Sequence, residues 1–424
     1  MHGKRASIRG AKKPGSASPV SWKKWQESLE SEEADLETLK IAMFTWESQY
    51  SVKVGGISPH VTELSEVLVK KGHEVHIFTR IGFKSKYEAV NGVHYHRVEH
   101  DQSGGIVVQM DRMSNAMVHR FEIVEKEGKF DVLHGHDWHP VVALNHLKKH
   151  DRYPYIMTYH STEWGRNGNT FGTWWESREI AHREWLGGYE SSQVIVTSLN
   201  LRNEVQFLYQ IPDYKLNIVP NGIAFGRTRR NLDPGGVKGK YGIHPMAPLI
   251  LFIGRMRHQK GPDLLVEAVP HVLRHRWDAK FVFAGEGDLR PYCEHRAYEL
   301  GVQHACRFTG YISDEAAVEL LNACDMLIVP SRNEPFGIVV LEAWDAGKPV
   351  IGTETVGLID NFRNGIKAYT HPESIAWCIN HVINNPDYLR WMGEQGRRDV
   401  ERLYDWNTIV EDTADVYRHT YLEF

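Results

Sequence analysis

Short apolar runs alternate with helix-period segments along most of the 424-residue chain, from Leu39 onward. Each run has the length of one strand, and the intervening segments carry apolar residues three and four positions apart. Such alternation is typical of parallel sheets covered by helices on both faces, so the sequence predicts an α/β fold. The predicted strands are Lys40 to Trp46, Glu74 to Thr79, Val93 to Val98, Asp131 to His134, Tyr155 to His160, Val194 to Thr197, Asn217 to Val219, Leu249 to Gly254, Phe281 to Gly285, Arg307 to Tyr311, Met326 to Pro330 and Val350 to Thr353.

A stretch of low periodicity separates two series of strands. Residues 221–248 contain many Gly and Pro residues, and we expect the chain to pass there from one α/β unit to the next. The predicted architecture is two Rossmann-like domains that face each other across a cleft, where ligands of open parallel sheets bind. The predicted segments are an N-terminal extension at 1–38, domains at 39–225 and 226–405, and a C-terminal helix at 406–424.

The N-terminal extension and the overall charge exclude some partner classes. Residues 1–20 are almost free of apolar side chains, so we expect a flexible segment. The chain has 50 Lys and Arg against 54 Asp and Glu, and acids that follow the basic extension nearly neutralise it. We therefore expect no nucleic-acid partner.

Membrane and export signals are also missing from the sequence pattern. No apolar run approaches about 18 residues, and no apolar stretch follows the N-terminal basic residues. The four cysteines show no C-x-x-C spacing, which fits a reducing compartment. We expect a cytoplasmic protein without a membrane span.

The first predicted strand leads into a glycine-containing loop. Lys53, Gly55 and Gly56 precede a helix for which Ser58 is the expected N-cap and Pro59 the first residue. Consecutive glycines let backbone approach a ligand closely, and a helix N-terminus with a nearby lysine suits a phosphate. A tight turn that merely requires glycine explains the pattern equally well. The loop is not G-x-G-x-x-G, so nicotinamide dinucleotide binding is poorly supported.

The predicted second domain begins with the same order of strand, loop and helix. Arg255 and Lys260 follow an apolar strand, and Pro262 begins the next helix. A strand-end Arg and Lys suit a diphosphate, because Arg binds in bidentate fashion and Lys adds a mobile charge. A solvated basic loop is the alternative interpretation.

A third group contains two acids eight residues apart. Glu334 follows an apolar strand, Gly337 lies near a helix start, and Glu342 falls within that helix. Carboxylates at a strand end are placed to accept hydrogen bonds from sugar hydroxyls. Because the neighbours of Glu342 are apolar, we expect this acid to be paired or to bind a ligand.

The fourth group is rich in histidine. It comprises His134, His136, Asp137, Trp138 and His139, with His160 one strand later. The three histidines between 134 and 139 suggest a zinc site, but no H-E-x-x-H pattern or matching cysteine accompanies them. Histidines that line a polar cleft at strand ends are the favoured interpretation.

Together these motifs resemble a known family. K-x-G-G after the first strand, H-x-H-D-W, G-R-x-x-x-x-K-G and E-P-F-G-x-x-x-L-E-A look like those of a retaining glycosyltransferase of the GT-B fold. The resemblance covers residues 39–424 and is nearest to the family-4 transferases and the glycogen and starch synthases. Residues 403–406 resemble the crossover that returns the C-terminus to the first domain.

The resemblance implies roles for individual residues. Glu334, His160, Arg255 and Lys260 are the implied catalytic residues. The implied donor-binding residues are Lys53, Gly55, Gly56, Phe336, Gly337, Ile338 and Glu342. On the acceptor side, the first domain contributes His136, Asp137 and Trp138. No metal and no cofactor are implied, because such enzymes stabilise the leaving diphosphate with protein groups.

The implied reaction is transfer of a hexose, with glucose as first candidate, from an ADP-, UDP- or GDP-sugar to a carbohydrate acceptor, as in glycogen synthases. The alternatives are a small-molecule or lipid-linked acceptor, and a non-catalytic nucleotide-sugar or glycan-binding protein. Trp164, Trp174, Trp175 and Trp185 crowd one segment beside His160, where they either pack an irregular insertion or line the acceptor side.

Overall fold

The computed structural model describes residues 38–82, 84–151 and 153–423. The predicted flexible extension at residues 1–38 lies outside the described residues, apart from Thr38. The described chain forms two sheets, one on each side of the segment near residue 225. Helices pack on both faces of each sheet, as the alternating pattern predicts.

The first sheet has eight strands in the order β3-β4-β2-β1-β5-β6-β7-β8. Its strand pairs are parallel, except that β3 runs antiparallel to β4. The strands are β1 (Lys40–Phe44), β2 (Glu74–Arg80), β3 (Tyr87–Val90), β4 (Val93–Val98), β5 (Val132–His136), β6 (Tyr155–Tyr159), β7 (Gln193–Val196) and β8 (Leu216–Ile218).

The second sheet has six parallel strands in the order β11-β10-β9-β12-β13-β14. These strands are β9 (Leu249–Ile253), β10 (Lys280–Ala284), β11 (Cys306–Gly310), β12 (Met326–Val329), β13 (Val350–Thr353) and β14 (Gly365–Ala368).

The helices of the described residues connect the strands and follow the last strand. They are α1 (Ile57–Lys70), α2 (Ile106–Val124), α3 (Val141–Asp151), α4 (Glu163–Arg166), α5 (Trp175–Glu190), α6 (Leu199–Tyr209), α7 (Pro234–Lys240), α8 (Pro262–Leu273), α9 (Arg290–Glu299), α10 (Asp314–Ala323), α11 (Ile338–Asp345), α12 (Pro372–Val382), α13 (Pro386–Leu403) and α14 (Trp406–Glu423). None of these described helices is both long and apolar enough to cross a membrane.

Alternate residues of the central strands enter different cores. In β1, Ile41 and Met43 join the cluster on one face, whereas Ala42 and Phe44 join the cluster on the other. The same division separates the residues of β9. Because side chains alternate across a strand, continuous apolar runs mark strands covered on both faces.

The structure corrects three local predictions. Helix α1 begins at Ile57 with Gly56 as its N-cap, and no side chain caps it. Ser58 is instead buried, and its hydroxyl has no partner among the described residues. Strand β5 continues to His136 rather than ending at His134, and the sequence pattern missed the edge strands β3 and β14.

Helix α14 returns to the first sheet. Asp405 pairs with Ile223 in an isolated bridge, and the Ile223 N–H donates to the Tyr404 carbonyl at 2.8 Å. Trp406 is buried against Gly222, where an added Cβ would lie 2.5 Å from the indole. The indole also donates to Glu63 of α1 at 2.6 Å. The C-terminal helix therefore packs in the core on one face of the first sheet, the face that carries Ile41 and Met43.

Candidate functional site

The carboxyl ends of the central strands of both sheets open onto one cleft. A cavity of about 560 Å³ is lined by residues that follow β1, β5 and β6 of the first sheet and β9 and β12 of the second. A neighbouring cavity of about 1070 Å³ shares Arg255 and Val54 with it. Strand ends of open parallel sheets are the usual ligand sites, so this cleft is the candidate site.

The glycine loop after β1 is held in place by Glu47. Its Oε2 accepts hydrogen bonds from the Val54 and Gly55 N–H groups at 2.6 and 2.8 Å. A Cβ on Gly56 would lie 3.2 Å from the Ile338 Cδ1 of the second domain, so glycine permits this close approach. Glu47 was not predicted from the sequence, although its position just after the first strand was an available signal.

Lys53 is engaged across the cleft. Its Nζ forms an ion pair with Asp314 at the start of α10, and both side chains are exposed. Neither cavity is lined by Lys53, whereas Gly55 and Gly56 line the smaller one and Asp314 lines the larger. The structure thus places Lys53 at the cleft edge, paired with an acid of the second domain.

Arg255 follows β9 and lines both cavities. Desolvation by the surrounding protein lowers the pKa of its guanidinium, and the nearby charges of Arg257 and Arg166 lower it further. Although its side chain is open to solvent, it makes no hydrogen bond or ion pair within the described part of the chain. Unpaired positive charge at a strand end can bind an anion.

Lys260 and Glu334 form an ion pair beside Arg255. The Lys260 Nζ lies 2.9 and 2.8 Å from the two carboxylate oxygens of Glu334, and the Ser331 hydroxyl donates to Oε2 at 2.8 Å. Glu334 is buried, and Lys260 is partly exposed. Gly261 has a φ of 64°, and a Cβ there would lie 2.1 Å from the Pro330 carbonyl oxygen. Backbone packing therefore fixes Lys260 next to the Glu334 loop.

The Glu334 loop runs directly into α11. Gly337 has a φ of 98°, a conformation that favours glycine, and Ile338 is the first residue of the helix. Phe336, Gly337 and Ile338 all line the smaller cavity. The helix N-terminus consequently faces the cleft with unpaired N–H groups, as a phosphate site requires.

Glu342 lies one turn into α11 and lines the larger cavity. Its side chain is partly exposed, and desolvation raises the pKa of its carboxyl to about 7. Arg227 lies 3.8 Å away and opposes this shift, while it also pairs with Glu63. Glu342 and Glu334 therefore face different parts of the cleft, the first in the larger cavity and the second in the smaller.

His160 and Asp137 meet at the ends of β6 and β5. The His160 N–H donates to Asp137 Oδ1 at 2.7 Å, and Asp137 has a φ of 54°. Burial raises the pKa of Asp137 to about 6, although Arg166 and two backbone N–H groups oppose the shift. Both residues line the smaller cavity.

The predicted acceptor-side residues separate into two groups. Asp137 and Trp138 line the smaller cavity, and the Trp138 ring stacks on His139 with centroids 4.4 Å apart. His136 is fully buried and does not line it. Its Nδ1 instead lies 3.2 Å from His160 Nε2, so His136 contacts the cleft only through His160.

The histidines proposed for zinc do not converge. His134 Nδ1 lies 2.7 Å from the Tyr417 hydroxyl and its Nε2 lies 2.7 Å from Thr158 Oγ1. His139 stacks between Trp138 and Trp46. Because the ring nitrogens of His134 bond elsewhere, the zinc interpretation based on the 134–139 segment is wrong.

A different histidine set does come together. His60, His136 and His160 offer ring nitrogens that lie within 4.8 Å of one another. Imidazole nitrogens are common zinc ligands, so this set, rather than the 134–139 segment, is the histidine group of the described residues that could hold a metal ion. The sequence analysis missed His60, which follows the glycine loop in α1.

Hydrogen bonds also join the two domains beside Glu334. The Asn333 side chain donates to Asn169 Oδ1 at 2.8 Å and to Glu204 Oε2 at 2.7 Å. The Ser198 hydroxyl donates to the Pro335 carbonyl. These contacts connect the Glu334 loop to the insertion that follows His160 and to the N-terminal part of α6.

None of the four clustered tryptophans lines either cavity. Trp174, Trp175 and Trp185 are exposed on or before α5, whereas Ile180 of the same helix lines the smaller cavity. Trp164 lies in α4 and is partly buried. The exposed indoles therefore lie outside both cavities.

Comparisons with known proteins agree with this geometry. Residues 54–227 match the family Glycosyltransferase Family 4, and residues 237–399 match Glycosyl transferases group 1. The chain is 36% identical over 388 residues to an uncharacterised glycosyltransferase of Methanocaldococcus jannaschii, with 90% of this chain and 98% of that protein covered.

Two further relatives extend the comparison. A glycogen synthase of Mycobacterium tuberculosis is 27% identical over 408 residues and covers 89% of this chain and 94% of its own length. The catalytic domain of starch synthase IV from Arabidopsis thaliana, solved with ADP and acarbose, superposes with a TM-score of 0.72 at 17% identity. That comparison covers 91% of this chain and 100% of the other, and it shows a shared fold.

Proposed function

Because the chain belongs to the GT-B glycosyltransferases, we propose that it transfers a hexose, with glucose as first candidate, from a nucleoside diphosphate sugar to a carbohydrate acceptor. The transfer retains the configuration of the anomeric carbon and needs no metal. A glucan acceptor of the glycogen-synthase type is the leading candidate, supported by the similarity to a glycogen synthase over nearly the whole chain.

The unpaired guanidinium of Arg255 carries this proposal. It lines both cavities and lies beside Lys260, and it makes no direct ion pair within the described residues, although the charges of Glu47 and Glu334 lie near it as well as those of Arg257 and Arg166. A diphosphate that spans the two cavities would supply the missing anion, because Arg binds phosphate in bidentate fashion. The α11 N-terminus would add N–H donors to the same group.

The remaining donor groups fit around that diphosphate. Glu342 in the larger cavity is placed to accept hydrogen bonds from ribose hydroxyls. Glu334 and His160 line the smaller cavity, where we propose that they contact the transferred sugar. In this proposal the nucleoside occupies the larger cavity, and the sugar and acceptor occupy the smaller one.

The proposed step is a same-face displacement at the anomeric carbon. The bond from that carbon to the diphosphate oxygen breaks, and both electrons leave with the nucleoside diphosphate. The acceptor hydroxyl oxygen forms the new bond on the same face, and its proton passes to the departing phosphate oxygen. Arg255 and Lys260 stabilise the charge on that leaving group. Because both groups are already in position, no solvent has to reorganise during the step.

A purely binding role is the alternative from a different class. Binding alone would not require an acid and a lysine paired at 2.8 Å next to the expected leaving group. The shared placement of Arg255, Lys260, Glu334 and Glu342 therefore favours catalysis.

Lys260→Ala and Glu334→Ala test the proposal. We expect each variant to lose roughly 10²–10³-fold in the rate of nucleoside diphosphate release from a glucose donor with glycogen present, because each removes a preorganised group at the reacting centre. Arg274→Ala, at an exposed position after α8, is the matched control and should retain the wild-type rate. Near-wild-type rates in both cleft variants, with unchanged thermal unfolding, would contradict the proposal.

A further inference from the structure

Behind the cleft, His136 has no direct access to a ligand. It is fully buried at the end of β5, and its ring stacks on that of His160 with centroids 5.4 Å apart and planes inclined by 21°. The contact that matters is polar. His136 Nδ1 lies 3.2 Å from His160 Nε2, so one of the two nitrogens carries the shared proton.

Both rings are neutral, because burial lowers the pKa of His136 well below its ordinary value and that of His160 to about 3. A neutral imidazole has one N–H donor and one acceptor nitrogen. Each ring therefore exists as one of two tautomers. The direction of the bond between His136 and His160 fixes both tautomers at once.

The other nitrogen of His136 decides the direction. His136 Nε2 is buried and has no partner among the described residues. If His136 accepted at Nδ1, its Nε2 would carry a buried N–H with nothing to bond. If His136 donates from Nδ1, Nε2 is a bare lone pair instead. Orphaned buried N–H groups are rarer in proteins than under-satisfied acceptors, so donation from His136 is favoured.

The direction of this bond determines which ring nitrogen of His160 carries the proton. With Nε2 accepting from His136, the proton of His160 is on Nδ1. His160 Nδ1 makes no hydrogen bond within the described residues, and His160 is partly exposed and lines the smaller cavity. An N–H donor is therefore left for an oxygen of a bound ligand.

Neighbouring rings restrict the His160 side chain further. The His60 ring meets it edge to face at 4.6 Å, and Trp406 of α14 meets His60 in turn at 5.4 Å. On the backbone side, the His160 N–H is bonded to Asp137 at 2.7 Å. A 180° flip of the ring would place Cε1 where Nε2 now lies and would break the bond to His136.

We propose that His136 is a positioning residue that holds His160 in the Nδ1–H tautomer, so that His160 presents a hydrogen-bond donor to a hydroxyl of the transferred sugar. The ligand part of this inference rests on the proposed function. The tautomer part does not, and it is tested separately.

Two substitutions at His136 distinguish its role as a hydrogen-bond donor to His160 from its role in filling space. In His136→Asn the side-chain amide nitrogen occupies the place of Nδ1 and can still donate to His160, whereas in His136→Gln it occupies the place of Nε2. We expect His136→Asn to stay within about threefold of the wild-type kcat/KM and His136→Gln to lose about tenfold or more, the value of one hydrogen bond. Equal activities of the two variants, with equal thermal unfolding, would overturn the positioning role.

A spectroscopic measurement tests the tautomer without any substrate. Long-range ¹⁵N–¹H correlation spectra of the full-length protein distinguish the two neutral tautomers of histidine, and His160→Gln identifies the His160 signals. We expect the Nδ1–H pattern for His160 in the wild type and a change of pattern in His136→Gln. The control, His182→Gln on the exposed face of α5, should leave the pattern unchanged.

An Nε2–H pattern for wild-type His160 would overturn the inference, whatever the enzyme does. A confirmed Nδ1–H pattern in a protein that releases no nucleoside diphosphate from any glucose donor would instead contradict the proposed function and leave the tautomer established. The two failures are therefore distinguishable.

Discussion

Burial gives Glu342 a carboxyl group that changes its charge near neutral pH. Its pKa is raised to about 7, so the group is largely neutral at pH 6 and largely ionised at pH 8. A neutral carboxyl accepts hydrogen bonds from ribose hydroxyls less strongly than a carboxylate. We expect the KM for the sugar donor to rise as the pH falls from 8 to 6, and steady-state kinetics across that range measures the change.

Glu342→Gln is the matched variant for this prediction. It removes the titration and keeps the shape of the side chain, so its KM should be higher than that of the wild type at pH 8 and nearly independent of pH. A wild-type KM that is flat across pH 6 to 8 would contradict the assignment of Glu342 to the donor.

Lys53 and Asp314 offer a second prediction at this scale. The lysine expected at the donor phosphates is bound to Asp314 across the cleft, and both groups are exposed. An exposed pair of this kind contributes up to about 1 kcal/mol. We expect Asp314→Asn to free Lys53 and to lower the donor KM by about two- to fivefold.

Lys53→Ala is the comparison for that variant and should raise the donor KM. If Asp314→Asn leaves the KM unchanged while Lys53→Ala raises it, the ion pair does not compete with the donor. A Lys53→Ala variant with wild-type KM would remove Lys53 from the donor site altogether.

The sequence identified site residues that lie in a distinctive local motif. It missed residues whose contacts form only when distant segments pack together. Arg255, Lys260 and Glu334 follow apolar strands, and the structure brings them to one cleft. Glu47 and His60 lie in less distinctive surroundings, and only the packed loop and helix reveal their contacts. The Ser58 cap was predicted from residue type, but a serine hydroxyl caps only if it is not turned into the core.

At the scale of elements, the buried strands were the most predictable part of the fold. Central strands such as β1 and β9 are covered on both faces and therefore read as continuous apolar runs. The missed strands β3 and β14 are only four residues long, and a charged residue interrupts each of them, Glu88 in β3 and Lys367 in β14, so neither forms a continuous apolar run. In β5, Gly135 interrupted the pattern, although the backbone continues to pair with β6 as far as His136.

Helix α14 gives a prediction about stability. Trp406 is 3% exposed, packs on Gly222 and donates to Glu63. Truncation of a buried tryptophan costs about 3–5 kcal/mol, so Trp406→Ala should lower the free energy of unfolding by that amount. Denaturant unfolding followed by tryptophan fluorescence and circular dichroism measures the loss.

Trp277→Ala is the control for this measurement. Trp277 is 81% exposed, and its removal should change the free energy of unfolding by no more than about 0.5 kcal/mol. If both tryptophan variants unfold like the wild type, the packing of Trp406 in α14 against the first sheet does not stabilise the protein.

For the whole molecule, the relation between the two sheets was predictable only in outline. The motifs place ligand groups at the strand ends of both sheets, and two such sheets imply a cleft between them. The bonds that join the domains connect residues far apart in the sequence, such as Asn333 with Asn169 and Glu204. No local pattern encodes such a pair, because each partner alone is an ordinary polar residue.

The same contacts tie the Glu334 loop to the part of the chain that follows His160. Asn333 directly precedes Glu334, and its partners belong to the insertion and helix that follow His160. A change in the separation of the domains would therefore move the Glu334 loop relative to His160. Such a change would alter the distance between two residues that line the same cavity.

Product analysis of the transfer reaction tests the central claim most directly. The wild-type protein is incubated in EDTA with UDP-, ADP- or GDP-glucose and glycogen, and ¹H NMR follows the anomeric protons while released nucleoside diphosphate is counted. We predict α-linked glucose on the acceptor in equal amount to the nucleoside diphosphate released from one of these donors. A β-linked product, or no transfer from any of the three donors, would contradict the account.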